Sequence, residues 1–188
     1  MFGRVAVNAA ITSITALSIT GCAAGGPAFQ DVQFEETPGL TAVYIFRLNK
    51  FVDSGSCYEI SIDGAPIGVL ANGGFLRAEE APGEHVITVP MLEENILKLQ
   101  FDLESSKPSY FQFNVSLNGP DKIPESEVLS ERSSYSNSKG DMLGYAGELI
   151  NFTSVIVQVS ESHALQELEL LRDSSEKVAC MATARHKQ

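Results

Sequence analysis

Leu97-Lys98-Leu99-Gln100-Phe101-Asp102-Leu103 sets the fold class. Its apolar residues fall on every second position. In an extended chain this puts Leu97, Leu99, Phe101 and Leu103 on one face, opposite Lys98, Gln100 and Asp102. Phe111-Gln112-Phe113-Asn114-Val115-Ser116-Leu117 repeats the pattern, after a hairpin loop at Ser105-Ser106-Lys107-Pro108. Strict alternation predicts one face in the core and one face wet, as in antiparallel sheets.

Further strands lie upstream. Thr41 to Leu48 is short and rich in β-branched and aromatic residues. Cys57 to Ile62 alternates, with Tyr58, Ile60 and Ile62 sharing a face. Asp63-Gly64 then signals a two-residue hairpin into Ile67-Gly68-Val69-Leu70. Asn72-Gly73-Gly74 turns the chain into Phe75-Leu76-Arg77, and Pro82-Gly83 turns it into Glu84 to Pro90. Downstream, 118–147 is rich in serine and glycine and poor in apolar residues, and reads as a long polar loop. Glu148 to Val159 is a last strand. Ser160 caps a helix whose Ala164, Leu165, Leu168 and Leu171 form an apolar stripe, carrying it to about Arg172. Short strands at about ten-residue spacing predict a mainly β fold: an immunoglobulin-like antiparallel β-sandwich with one C-terminal amphipathic helix.

The chain has 188 residues, with 13 Lys and Arg against 24 Asp and Glu, a net charge of −11. Such an acidic chain repels phosphate backbones, which argues against nucleic acid as a partner. Residues 1–21 carry one basic residue, Arg4, followed by an apolar-to-small segment from Val5, as in a secretory signal. The segment closes on Ile19-Thr20-Gly21-Cys22. This resembles the lipobox of bacterial lipoproteins, which implies cleavage before Cys22 and lipid on its sulfur and new amine. An ordinary cleaved signal with Cys22 as a bystander, or an uncleaved anchor, are the competing readings. Ala23 follows the cysteine; the lack of Asp there implies the outer membrane, on its periplasmic side. Residues 22–39 read as the lipidated cysteine and a flexible tether, with Gly25-Gly26-Pro27 and Thr37-Pro38 breaking regular structure. Such a tether would reach roughly 20–24 Å. The domain then spans 40–173, and 174–188 is a polar tail.

Three cysteines are present, at 22, 57 and 180. If lipid consumes Cys22, Cys57 and Cys180 remain as a pair in an oxidising compartment. A bridge between them would close a long loop; two unpaired thiols is the alternative. No cysteine–histidine spacing fits a metal, and no cofactor is implied.

Catalytic signals are weak. Ser136-Asn137-Ser138-Lys139 fits S-x-x-K, but in a polar loop rather than at a helix start. Asn72-Gly73-Gly74 lacks the Gly-Lys-Ser/Thr of a phosphate loop. His85, just after the Pro82-Gly83 turn, reads as structural or solvated, and His163 on the helix and His186 in the tail have no reason to meet. Glu79-Glu80 and Glu93-Glu94 put neighbouring carboxylates on opposite faces and read as solvated acids. Asn114-Val115-Ser116 and Asn151-Phe152-Thr153 fit a glycosylation pattern that means nothing in a bacterial lipoprotein. Tyr110 and Tyr135 are aromatic candidates for a binding surface.

The lipobox, the strand Ala42-Val43-Tyr44-Ile45-Phe46-Arg47, Ile62-Asp63-Gly64 with Ile67-Gly68-Val69-Leu70, Gly74-Phe75 and Pro82-Gly83-Glu84-His85 together resemble an uncharacterised bacterial lipoprotein family, domain of unknown function 2846. Val159-Ser160-Glu161-Ser162 and the helix after it resemble that family's closing segment. The resemblance implies a sandwich on a lipid anchor and no activity. Two functional classes follow: a lipid-anchored, non-catalytic module that holds an envelope protein or glycan, and an envelope hydrolase acting on cell-wall material, whose catalytic set would have to assemble from distant residues.

Overall fold

A computed structural model of the chain describes residues 23–91, 95–117, 123–130, 132–136, 152–175 and 181–182. The strands are β1 (Thr41–Arg47), β2 (Ser56–Ile62), β3 (Ala65–Leu70), β4 (Gly74–Glu80), β5 (Gly83–Pro90), β6 (Ile96–Leu103), β7 (Ser109–Leu117), β8 (Ser133–Ser136), β9 (Phe152–Val159), β10 (Arg172–Asp173) and β11 (Met181–Ala182). One α-helix, α1, spans Glu161–Leu168, and short 3₁₀ turns lie at Phe29–Asp31 and Glu125–Glu127. The first sheet runs β10-β4-β1-β7-β9-β8, and the second runs β11-β2-β5-β6 with β3 paired to β2. The fold is thus mainly β, two sheets with one helix, as the alternation predicts.

Local chemistry accounts for most boundaries. Asp63 (φ 50°) and Gly64 (φ 82°) both occupy the left-handed region, so the β2–β3 hairpin closes on the two residues that signalled it. β5 and β6 pair antiparallel along their whole length, Gly83 with Leu103 through Pro90 with Ile96. The Ser160 hydroxyl accepts the His163 amide at 3.2 Å and caps α1.

The sheets enclose one core, in which Val43, Ile45, Phe111 and Phe113 of the first meet Ile60, Ile87, Leu99 and Leu103 of the second. A second core lies on the outer face of the first sheet. There Phe46, Phe75, Tyr110 and Val157 pack under Ala164, Leu168 and Leu171, with Phe29 and Phe34 closing over them. This second layer corrects the alternation reading of β7. Gln112, Asn114 and Ser116 were expected to be wet, yet all are buried, because β7 is a central strand with both faces covered. β1 also pairs parallel with β7, as β10 does with β4 and β11 with β2, so the sheets are not purely antiparallel.

Four segment readings change. The described part of the expected tether is docked: Ala24 donates to Asn72 O, Gly26 to Asp173 O and Phe29 to Leu171 O, each at 3.1 Å. Gly26 serves close approach rather than flexibility, since a Cβ there would sit 2.6 Å from Asp173 O. Within the expected loop 118–147, Val128 bridges Val159 and β8 pairs with β9, placing Ser133 opposite Ile156. The expected polar tail begins with buried Ser174 and later supplies β11 to the second sheet. The helix is shorter than its stripe: it ends at Leu168, and Leu171 leaves it to join the outer core.

Candidate functional site

The segment that begins at Ala23 meets the body at one corner. Ala23 bridges Asn72, and Asn72 is itself 4% exposed. Its carboxamide Oδ1 accepts the Lys50 amide at 3.1 Å, while Nδ2 donates to Asn49 Oδ1 (2.9 Å) and Lys50 O (3.0 Å). The loop between β1 and β2 is thereby tied to the turn before β4. Gly73 (φ 69°) completes that turn, and its carbonyl accepts the Arg172 amide at 3.1 Å. At Gly74 a Cβ would meet Ser174 Oγ and, at 2.9 Å, Ala24 Cβ, so the three segments converge on a position without a side chain. Two large apolar residues flank the corner in water: Phe51, 95% exposed, and Leu170, 80% exposed.

A buried polar knot holds the same loop from inside. The Arg47 guanidinium donates to Ser56 O and Asp53 O, both at 2.6 Å, and to Asp53 Oδ2 at 3.2 Å. Tyr58 OH donates to Asp53 Oδ2 at 2.5 Å, and Ser56 Oγ also donates to the Asp53 carboxylate. Arg47 lies over the Tyr58 ring at 5.2 Å. Burial pulls the Arg47 pKa down against the pull of Asp53, and burial beside the same carboxylate pushes the Tyr58 phenol well up. Both carboxylate oxygens of Asp53 accept hydrogen bonds within the protein, so the knot acts as a clasp on the loop.

Cys57, the next residue on β2, is disulfide-bonded and packs with Ala24 and Ala71. Its partner is one of the two other cysteines, Cys22 and Cys180, both outside the described residues. Ala24 reaches Cys57 from one side, and β11 sets Ala182 opposite it from the other. The bond therefore fixes which cysteine remains for other chemistry.

His85 was expected to be structural or solvated, and it is a strut. Nδ1 lies 2.7 Å from Asp63 Oδ2 and Nε2 lies 2.7 Å from Ala81 O, so both ring nitrogens are engaged. Burial pulls its pKa down, but the hydrogen bonds it gives to the Asp63 carboxylate and the Ala81 carbonyl outweigh this and raise it overall. The hydrogen bond from His85, together with the Val86 amide, holds the Asp63 carboxyl below its usual range. His163 is tied to Gln112, Nε2 to Oε1 at 2.8 Å.

An open cleft of about 610 Å³ lies beside the outward face of β6, lined by Val86, Lys98, Leu99, Gln100, Arg132 and Ser133. β6 supplies Lys98 and Gln100 from its alternate, exposed positions. The segment entering β8 supplies Arg132, which is oriented by Glu125 at 2.8 Å. The cleft thus puts two cations and two neutral polar groups around a short apolar floor.

The remaining sequence candidates scatter. Ser136 ends β8 and meets Thr153 Oγ1 at 3.3 Å, while Lys139 lies outside the described residues. Glu79 accepts from Thr37 and Arg77, and Glu93 and Glu94 fall outside the described residues. Asn114 is 3% exposed inside the sheet. Tyr110 is buried and donates to Glu161 at 3.3 Å, and Tyr135 packs partly against the core. Among the described residues no cluster of His, Cys, Asp and Glu could hold a metal, and no helix is long and apolar enough to cross a membrane. Sequence reading missed Asn72 as an organiser, the Arg47–Asp53 clasp and the Lys98–Arg132 cleft. Asn72 and the cleft join residues more than twenty apart in the chain, while the clasp closes within the β1–β2 loop, where the only local hint was the lone charge of Arg47 at the end of an apolar strand. Comparison with family models, with curated proteins and with solved structures finds no match.

Proposed function

We propose that this protein is a lipid-anchored component of the bacterial cell envelope, held through Cys22 on the periplasmic side of the outer membrane, and that it acts as a non-catalytic interaction module. The observation that carries the anchor is the Ile19-Thr20-Gly21-Cys22 box at the end of a signal-like segment. Lipid on both the sulfur and the amine of Cys22 exceeds what stable anchoring requires. The resemblance to the lipoprotein family, domain of unknown function 2846, agrees with this reading. Lipidation of Cys22 assigns the Cys57 disulfide to Cys180.

The cleft beside β6 supports the interaction role. Mature residues 22–188 carry 12 basic and 24 acidic side chains, since Arg4 is the only charge removed with the signal, so the net charge is 12 − 24 = −12. In so acidic a protein, a polar cleft carrying Lys98 and Arg132 favours an envelope protein segment or glycan with acidic groups.

Intact mass of protein extracted from membranes tests the anchor. The expected mass is that of residues 22–188 plus a diacylglyceryl group and an amide-linked acyl chain, with reductant adding two hydrogens for the Cys57–Cys180 bond. An unlipidated mass, or a Cys22–Cys57 linkage on peptide mapping, overturns it. In-cell crosslinking with Lys98→Glu and Arg132→Glu tests the cleft. Loss of a crosslinked product in both variants is expected, and an unchanged product refutes it.

A further inference from the structure

The docked amino-terminal segment changes what a lipid at Cys22 would do. On a flexible tether the body would tumble at a distance from the bilayer. Here Ala23 is already bridged to Asn72 and Ala24 is buried, so the attachment point is one residue from the folded corner. That corner carries the two most exposed large apolar side chains among the described residues, Phe51 and Leu170. Neither is there by accident of a loose loop. Lys50, next to Phe51, is held through both its amide and its carbonyl by the Asn72 side chain. Leu170 lies two residues before Arg172, whose amide is held by Gly73 O. Both apolar groups therefore flank the same Asn72-Gly73 turn that receives the chain from Cys22.

We infer that this corner is a membrane-contacting face: with Cys22 lipidated, Phe51 and Leu170 insert into the bilayer interface beside the acyl chains and fix the orientation of the domain. The occupant is a lipid surface because the acyl attachment, one residue from the corner, brings that surface to these side chains before any other partner. A large apolar residue left almost wholly in water gains by entering the acyl boundary. Acidic Glu169 lies on the same rim, so the contact relies on apolar insertion more than on anionic lipid. The far end of β1, with the β6–β7 loop tied to it through Ser106 N and Thr41 Oγ1, then points away from the membrane.

The inference rests on the lipid-anchored reading, and one experiment separates the two. The sequence contains no tryptophan, so Phe51→Trp, Leu170→Trp and Leu40→Trp each introduce a single fluorophore. Leu40, 39% exposed, precedes β1 at its other end and serves as the distal reporter. Each full-length variant is purified from membranes, reconstituted in phosphatidylcholine vesicles with or without brominated acyl chains, and floated on a density gradient. The expected result is flotation of all three, with several-fold stronger brominated-lipid quenching and weaker iodide quenching at positions 51 and 170 than at 40. Flotation with equal quenching at all three positions overturns the membrane face and leaves the anchor standing. Failure to float overturns the anchor and the face with it. Phe51 and Leu170 are almost wholly in water before membrane contact, Leu40 is partly so, and none of the three belongs to the core.

Discussion

Phe29→Ala separates a docked amino-terminal segment from a flexible one. The Phe29 ring makes edge-on contacts with Tyr44 (5.9 Å) and Phe75 (5.3 Å) and a tilted one with Phe34 (6.0 Å). Complete burial of a phenylalanine makes its truncation cost about 3–5 kcal/mol. Phe29 is half-buried, so about 2 kcal/mol is expected from lost burial, and the edge-on pairs add roughly 0.5–1 kcal/mol. The total, about 2–3 kcal/mol, corresponds to a drop in Tm of roughly 5–10 °C for a chain of this size. Urea unfolding followed by far-UV circular dichroism gives the number, with an unchanged m-value showing that the reference states are the same. Gly26→Ala, whose Cβ would meet Asp173 O at 2.6 Å, undocks the same segment by another route. Both variants should therefore open the same protease sites between residues 23 and 38. A loss below about 0.5 kcal/mol for Phe29→Ala, the range of an ordinary surface substitution, refutes the docking argument.

Asn72→Ala leaves the Lys50 amide without its acceptor and should cost about 2 kcal/mol; hydrogen exchange at the Lys50 amide should accelerate at least as much as global stability falls, and unchanged protection would contradict the role given to Asn72. If the Cys57 bond runs to Cys180, Cys180→Ala opens a loop of over a hundred residues and lowers the unfolding free energy by up to about 4–5 kcal/mol. In urea melts of non-reduced protein, an effect of Cys22→Ala in its place points to the other pairing. The Asp63–His85 pair gives a pH signature. His85 has a raised folded pKa, so its contribution is complete below its ordinary value of 6.5 and lost as pH rises through the folded value. Asp63 has a lowered one, so its contribution is complete above 3.8 and lost as pH falls through the folded value. Calorimetry should find the pair's contribution greatest between about pH 4 and 6.5 and declining as the pH rises above that window. Asp63→Asn, which keeps the left-handed turn and an acceptor for Val86, should flatten that decline; an unchanged profile refutes the assignment.

The strands and their turns were legible because each depends on neighbours in sequence. The period of two in 97–103, the Asp63-Gly64 pair and the Ser160 cap all operate within a few residues, and each recurs in the structure where the sequence puts it. The faces of the strands were less so. β6 lies with one face wet and alternates as read, but β7 carries the same pattern and is buried on both sides. Its Gln112 is polar because His163 meets it, and no local signal announces a partner fifty-one residues away. Among the candidate site residues, His85 was placed correctly as a structural group, whereas Asn72 read as a simple turn and proved to join three segments.

By itself, the sequence determined the fold class, the strands β1 to β7 and β9 and the acidic charge, and it carries the signal-like segment and the box around Cys22. These follow from composition and short-range spacing, which survive in any chain with the same local order. The tertiary structure alone decided that Gly25-Gly26-Pro27 lies against Arg172 and Asp173 instead of swinging in water. It also decided that β10 and β11 extend the two sheets, and that Lys50 and Arg172, chain neighbours of Phe51 and Leu170, are tied to the same Asn72-Gly73 turn. Glycine permits both a flexible hinge and a close approach, and its sequence signature is the same for each. Only the presence of a backbone 2.6 Å from where its Cβ would be selects between them.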